Sequence, residues 1–143
     1  MPVRAVLDTN VVISALLWQG TPYRLLDTLR RQANTQLFTS AMLLEELAEV
    51  LTRPMAAKRL ALIGRTAHQI LTDYVDAVDL VSPVATPSVV PADADDDHVI
   101  AAAVAAEADF IVSGDRHLLD LVHHGHIRIV TPADALRLIG GTD

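Results

Sequence analysis

The residues of this chain that could do chemistry are carboxylates: Asp8, Glu46, the run Asp93-Ala94-Asp95-Asp96-Asp97, and Asp115. Val3-Arg4-Ala5-Val6-Leu7 is mostly aliphatic and ends abruptly on Asp8, and Asp109-Phe110-Ile111-Val112-Ser113 ends in the same way on Gly114-Asp115. Short continuous apolar runs of this kind suit strands buried on both faces of a sheet. Open α/β sheets place their ligands at the C-terminal ends of such strands. Asp96 or Asp97 stands at a helix N-terminus that starts from the same rim, because the strand before it ends there. Glu46 lies in the first turns of another helix. Leu43, Leu44, Leu47, Val50 and Leu51 form the apolar stripe of that helix. At about 100° per residue, Glu45 and Glu49 point away from the stripe, and Glu46 falls roughly 40° from Val50, at its edge.

Four carboxylates therefore converge. At 4 Å and an effective dielectric of 20, each pair would repel by about 4 kcal/mol. Either some stay protonated or a divalent cation neutralises them. Oxygen donors in a chain without cysteine point to Mg²⁺ or Mn²⁺. Such a site activates water and stabilises the developing charge of a phosphodiester. Simpler roles exist for each acid. Asp8 could cap the helix that follows, the aspartate run could serve a helix dipole, and Glu46 could be a boundary residue. Three consecutive acids nevertheless exceed what a cap requires.

The elements that must position these acids follow from punctuation and periodicity. After the first strand, Val11 to Leu17 is long enough for a helix, and Gly20-Thr21-Pro22 stops it and starts another to about Arg31. Thr35–Thr39 alternates as a strand. Ser40 then caps a helix through Leu51, and Arg53-Pro54 restarts it. A further helix spans about Arg65 to Val75, and Ala77–Val81 forms a weak strand. A loop carries Pro83, Pro87 and Pro91. The alanine-rich helix runs from His98 to about Ala108, Asp109–Ser113 is a strand, and Arg116–Val122 a short helix. Ile127–Val130 is the last strand, and Thr131-Pro132 caps a final helix to about Ile139. Strands and helices thus alternate around a helical excursion, which predicts one domain over residues 1–143. Its fold class is a three-layer α/β/α sandwich with a Rossmann-like, mainly parallel central sheet.

At 143 residues the chain suits one domain, with an aliphatic core: 51% hydrophobic residues but only 3% aromatic. Arg4 and Asp8 interrupt the only apolar stretch near the N-terminus, so no signal peptide is expected. No run approaches the roughly 20 apolar residues of a membrane span. A soluble, cytoplasmic protein in a reducing compartment fits these features. The net charge of −7 conceals an asymmetry. Residues 1–72 carry eight Lys/Arg against five Asp/Glu, and residues 73–143 carry three against thirteen. A basic surface and a concentration of carboxylates on opposite sides are expected.

Leu7-Asp8-Thr9-Asn10, Glu46-Leu47, Asp93 to Asp97 before the alanine-rich helix, and Ser113-Gly114-Asp115-Arg116-His117-Leu118-Leu119 together resemble the ordered motifs of PIN-domain ribonucleases. The likeness is greatest to the VapC-like branch, the toxin components of bacterial toxin–antitoxin systems, and it spans nearly the whole chain. It implies Mg²⁺- or Mn²⁺-dependent cleavage of RNA by Asp8, Glu46, Asp96 and Asp115. Asp8, Asp96, Asp97 and Asp115 would hold the metal, with Asp96 favoured over Asp97 at the third position. Asn10, Ser113 and Asp93 would be polar supports. The family's Asp-Pro is Asp93-Ala94 here, a departure that removes no ligand. The resemblance also implies a homodimer and a small antitoxin partner lying over the active groove.

Arg53, Lys58, Arg59 and Arg65 on the helical excursion could form a lip for RNA phosphates, or simply a solvated face. His68, His98, His123, His124 and His126 read as surface residues, the last three straddling a turn. His117, two residues beyond Asp115, would at most orient the site. A Ser-His-Asp triad has no support, and the six glycines are too scattered for a phosphate loop. A haloacid-dehalogenase-like phosphatase needs an Asp where Asn10 stands, and it shares with receiver domains a site lysine. The single lysine, Lys58, lies elsewhere. A non-catalytic RNA- or protein-binding module that retains the fold is the remaining competitor.

Overall fold

The structure, a computed structural model, describes residues 2–83 and 94–140; Pro87, Pro91 and Asp93 lie outside them. β1 (Val3–Leu7) and β2 (Thr35–Ser40) pair in parallel, and β3 (Asp79–Val81) joins β2 in the same sense. On the other side of β1 lie β4 (Phe110–Val112) and then β6 (Ile127–Val130), both parallel. β5 (His123–His124) closes that edge antiparallel to β6, giving the order β3-β2-β1-β4-β6-β5. The turn expected in His123-His124-Gly125-His126 lies at Gly125-His126, and the two histidines before it form this edge strand. Gly125, with φ 59, makes the hairpin between β5 and β6 possible.

The residue-by-residue alternation of the strands builds two cores. Ala5, Leu7, Leu37, Val112 and Val130 face one side, against α1 (Thr9–Leu17), α2 (Thr21–Arg31) and α8 (Pro132–Leu138). α3 (Ala41–Val50), α4 (Pro54–Ile63) and α5 (Ala67–Ala77) extend that layer. Val6, Phe38, Ile111, Ile127 and Ile129 face the other side, against α6 (Ala94–Ala105) and α7 (Arg116–Leu119). Each fully buried Val, Leu or Ile is worth roughly 1.5–3 kcal/mol. A one-residue slip would exchange the two faces, so the register is tightly specified. Ala102, Ala103 and Ala106 are wholly buried, which lets α6 lie close on the sheet. Among the described residues no helix is long and apolar enough to cross a membrane.

Several boundaries differ from expectation for local reasons. α6 starts at Ala94 and takes the aspartates into its first turn, where the helix dipole favours them. It ends earlier than Ala108, in a reciprocal C-terminal cap. Ala108 N–H bonds the Ala103 carbonyl at 2.9 Å and Glu107 N–H the Val104 carbonyl at 3.1 Å. That cap needs a left-handed residue, and Glu107 fills the place usually taken by glycine, with φ 52. α7 is shorter than expected because the chain reverses at Val122, whose φ is 64. There His123 N–H bonds the Leu121 carbonyl, two residues back, at 2.6 Å.

Two consequences can be measured. A β-branched residue at positive φ costs about 1–3 kcal/mol, and glycine's extra unfolded-state entropy takes back about 0.5–1 kcal/mol. Val122 is 63% exposed, so little packing is lost on truncation. Val122→Gly should therefore raise stability by about 1 kcal/mol and the melting midpoint by about 3 °C; an unchanged or lower midpoint would show that the turn is unstrained. The second concerns Tyr74, fully buried on α5, whose hydroxyl has no hydrogen-bond partner among the described residues. Burial pushes its phenol above the ordinary value of 10.0, and the charge of Arg30 only partly offsets this. A raised folded-state value gives stability that is complete below the unfolded value and lost as pH rises above about 10. Tyr74→Phe should accordingly lose less stability than the parent between about pH 9 and about pH 11, and parallel denaturation curves would refute the assignment.

Candidate active site

The parallel register brings the sequence-distant acids to one rim. Val6 pairs with Phe38, and Leu7 with Val112, which in turn pairs with Val130. Carrying those registers on by one or two residues aligns Ser40, Asp8, Ser113 and Thr131 across the C-terminal edge of the sheet. Asp8 N–H bonds the Val112 carbonyl at 2.9 Å, and Ser113 N–H the Val130 carbonyl at 3.0 Å, so the backbone ladder holds both positions.

Asp8 occupies the N-cap position of α1, yet its side chain makes no cap hydrogen bond. Its carboxylate instead accepts a hydrogen bond from the Ser113 hydroxyl at 2.8 Å. The same Ser113 oxygen accepts the Asp115 N–H at 2.9 Å. One wholly buried hydroxyl therefore ties a carboxylate on β1 to the backbone of the residue that carries another. Asp115 is half-buried and does cap its helix, α7, accepting the His117 N–H on Oδ1 at 2.8 Å. Capping and ligation are compatible for a carboxylate, which has two oxygens.

Asp96 and Asp97, near the start of α6, are both buried, 3% and 7% exposed. They differ in what they meet. Asp96, Asp115 and His117 each offer one ligand atom, and the three atoms lie within 4.8 Å of one another. Ligands on opposite sides of a Mg²⁺ ion stand about 4.2 Å apart, so small side-chain adjustments would let the trio hold one ion. The donor set thus fits a divalent cation; of the expected acids it contains Asp96 and Asp115, while Asp8, Glu46 and Asp97 are not members of the trio. Glu46 on α3 is half-buried while Glu45 and Glu49 are exposed, as the helical arithmetic requires. Asn10 is exposed near the start of α1.

Beside this rim lies a groove of about 320 Å³ lined by Asn10, Ile13, Trp18, Val50, Arg53 and Met55. Trp18, the only tryptophan, is 37% exposed there. The Arg59 guanidinium sits 5.6 Å from its ring centroid and donates to the Leu17 carbonyl at 2.7 Å. Of the four cations considered for a lip, Arg53 borders this groove and pairs with Glu49 at 2.8 Å on the surface. Lys58 is exposed on the same helix as Arg59. Arg65 lies apart, paired with Asp73 at 2.5 Å beside a cavity of about 180 Å³ bounded by α2 and α5. The structure so brings Arg53 near Asn10 and separates Arg65 from it. Trp18 escaped the sequence reading because one aromatic in an apolar helix end looks like core. The nearness of His117 to Asp96 could not be read from the sequence because it depends on tertiary contact.

Comparison with known proteins adds the family. A solved structure of VapBC2 from Rickettsia felis, bound to a DNA fragment from its promoter, shares the fold with a TM-score of 0.61 at 13% identity. The superposition covers 89% of this chain and 97% of that one. No curated protein matches the chain significantly. The family description "PIN domain" matches residues 4–117, a span that contains Asp8, Glu46, Asp96 and Asp115. The chain belongs to the PIN-domain family.

Proposed function

We propose that this protein is a Mg²⁺- or Mn²⁺-dependent endoribonuclease, the toxin of a bacterial toxin–antitoxin pair, working in the cytoplasm as a homodimer. The observation that carries the nuclease reading is the buried Asp8 carboxylate, hydrogen-bonded by Ser113 instead of capping its helix, on the rim that also bears Asp96 and Asp115. The toxin assignment rests on the resemblance of the motifs to that branch, and the fold shared with VapBC2 supports it. A small antitoxin is then the protein partner, lying over the active groove.

Each residue has a task in this reading. Asp8, Asp96 and Asp115 hold the ion, with Asp97 behind Asp96, and Glu46 leans over the rim from α3. When bound, the ion supplies charge neutralisation and Lewis acidity toward the phosphodiester. Ser113 fixes the orientation of Asp8, Asn10 adds a polar group at the mouth, and Asp93 precedes the aspartate run. Single-stranded RNA enters along the groove beside Asn10, where the exposed Trp18 ring is a stacking platform for a base. Arg59 secures that ring from α4. Arg53 and Lys58 meet the phosphates; the exposed Arg53–Glu49 pair is worth little and is readily exchanged for a phosphate contact. Arg65 would act only on a strand long enough to reach α5.

Asp8→Asn and Asp115→Asn should each abolish metal-dependent cleavage of a mixed RNA substrate, lowering the rate by about 10³-fold or more, while circular dichroism shows the fold retained. Undiminished cleavage in both variants would remove the assigned site. A folded wild-type chain that binds RNA without cutting it under Mg²⁺ or Mn²⁺ would make it a binding module. The groove has its own test in the ionic-strength dependence of RNA binding by an uncleaving variant. Reversing Arg53 and Lys58 to Glu should weaken binding and flatten the log–log salt slope by about 1.4, as loss of two single-strand phosphate contacts requires. An unchanged slope would place the RNA on another surface.

A further inference from the structure

We propose that the imidazole of His117 is a nitrogen ligand to the divalent ion, joining Asp96 and Asp115, and that it biases the site toward Mn²⁺ over Mg²⁺. This rests on the nuclease reading above and extends it to a residue outside the acidic set. His117 is fixed relative to Asp115 twice: its N–H is bonded to Asp115 Oδ1 at 2.8 Å, and its Nδ1 lies 3.6 Å from the same atom. Leu118, wholly buried beside it, anchors α7 to the core and so sets the direction in which the neighbouring side chain leaves. The His117 side chain is 55% exposed, so core packing does not explain its place. A surface ion pair with Asp115 would account for that contact alone. It would not account for Asp96, a buried acid from α6, presenting an oxygen within 4.8 Å of both.

The chemistry of the set has a consequence for the metal. Mg²⁺ is a hard ion that takes oxygen ligands almost exclusively and gives up its waters reluctantly; Mn²⁺, although it stands at the weak end of the transition series for nitrogen donors, still accepts an imidazole more readily than Mg²⁺ does. A site of carboxylates alone has little reason to distinguish Mg²⁺ from Mn²⁺ beyond size. Adding one neutral nitrogen donor strengthens Mn²⁺ binding and gives Mg²⁺ little.

The test is the full chain loaded with substoichiometric Mn²⁺, read by electron spin-echo spectroscopy, which detects a directly bound imidazole nitrogen, with calorimetric affinities for Mn²⁺ and Mg²⁺ in parallel. Nitrogen modulation should be present in the wild type, lost in His117→Gln, and kept in His98→Gln, the half-buried histidine on α6. His117→Gln should also weaken Mn²⁺ binding by about tenfold and Mg²⁺ binding by less than about threefold. If Mn²⁺ binds and Asp96→Asn abolishes it, but the wild type shows no nitrogen modulation, His117 is only an ion-pair partner. The nuclease reading then survives. If Mn²⁺ binding is absent, or indifferent to Asp8→Asn and Asp96→Asn alike, both readings fall together.

Discussion

A carboxylate taken almost out of water must be compensated where it sits, and this chain takes several out of water at one rim. Asp8, Asp96 and Asp97 are all buried, and Asp115 is half-buried beside them. Removing an ionised carboxylate from water is expensive unless it is paired or coordinates a metal. A hydroxyl such as that of Ser113 supplies a hydrogen bond but no charge. The parallel sheet leaves little freedom to escape this. Because register and alternation are set by two apolar cores, the residues that follow β1 and β4 arrive side by side whatever their charge. The fold thus holds the acids together, and in the proposed reading a divalent ion would offset part of the electrostatic cost of doing so.

The uneven distribution of charge acquires a geometric meaning once the helices are placed. The acidic half of the chain supplies α6 and the turn into α7, which carry Asp96 and Asp115. The basic half supplies α2 and α4, and α4 lies along the groove that leads away from Asn10. A polyanionic substrate would be held by the second region while the ion screens the first. The overall charge of −7 is therefore no argument against RNA. What matters is the sign of the local field along the path to the reacting phosphate.

Most of this was legible in the sequence, because the strongest signals are also the ones that set the rim. β1 and β4 are unbroken aliphatic runs, and a run with no polar face has to be buried on both sides. The helical arithmetic separated Glu46 from Glu45 and Glu49 because α3 is regular over its length. Legibility failed where local structure depends on one backbone angle. Glu107 and Val122 adopt positive φ without being glycine, so nothing in their chemistry announces the end of α6 or the turn after α7. β5 is only two histidines long, too short to show alternation, and it exists because β6 offers it an edge. The aspartate run gave a helix start but not which acid comes close to Asp115 and His117. That choice depends on the angular phase of α6, which the alanines that follow leave poorly defined because small residues fit on any face.

The rim also separates capping from ligation. Four residues on or just beyond it stand at the N-cap of a helix: Asp8 before α1, Ser40 before α3, Asp115 before α7 and Thr131 before α8. Ser40, Asp115 and Thr131 each accept a backbone N–H from the first turn of their helix. A carboxylate is among the best caps available, and Asp8 has the extended backbone that capping requires. It nevertheless makes no cap bond and turns toward Ser113. A residue needed only to start α1 would satisfy the first turn, as its three neighbours do. Serine at 113 suits the other role, since its hydroxyl can donate to Asp8 while accepting from the Asp115 backbone. An acid there would add repulsion, and alanine would leave a buried carboxylate without that donor. The departure of Asp8 from the pattern of its own rim is thus the structural reason to regard it as a ligand.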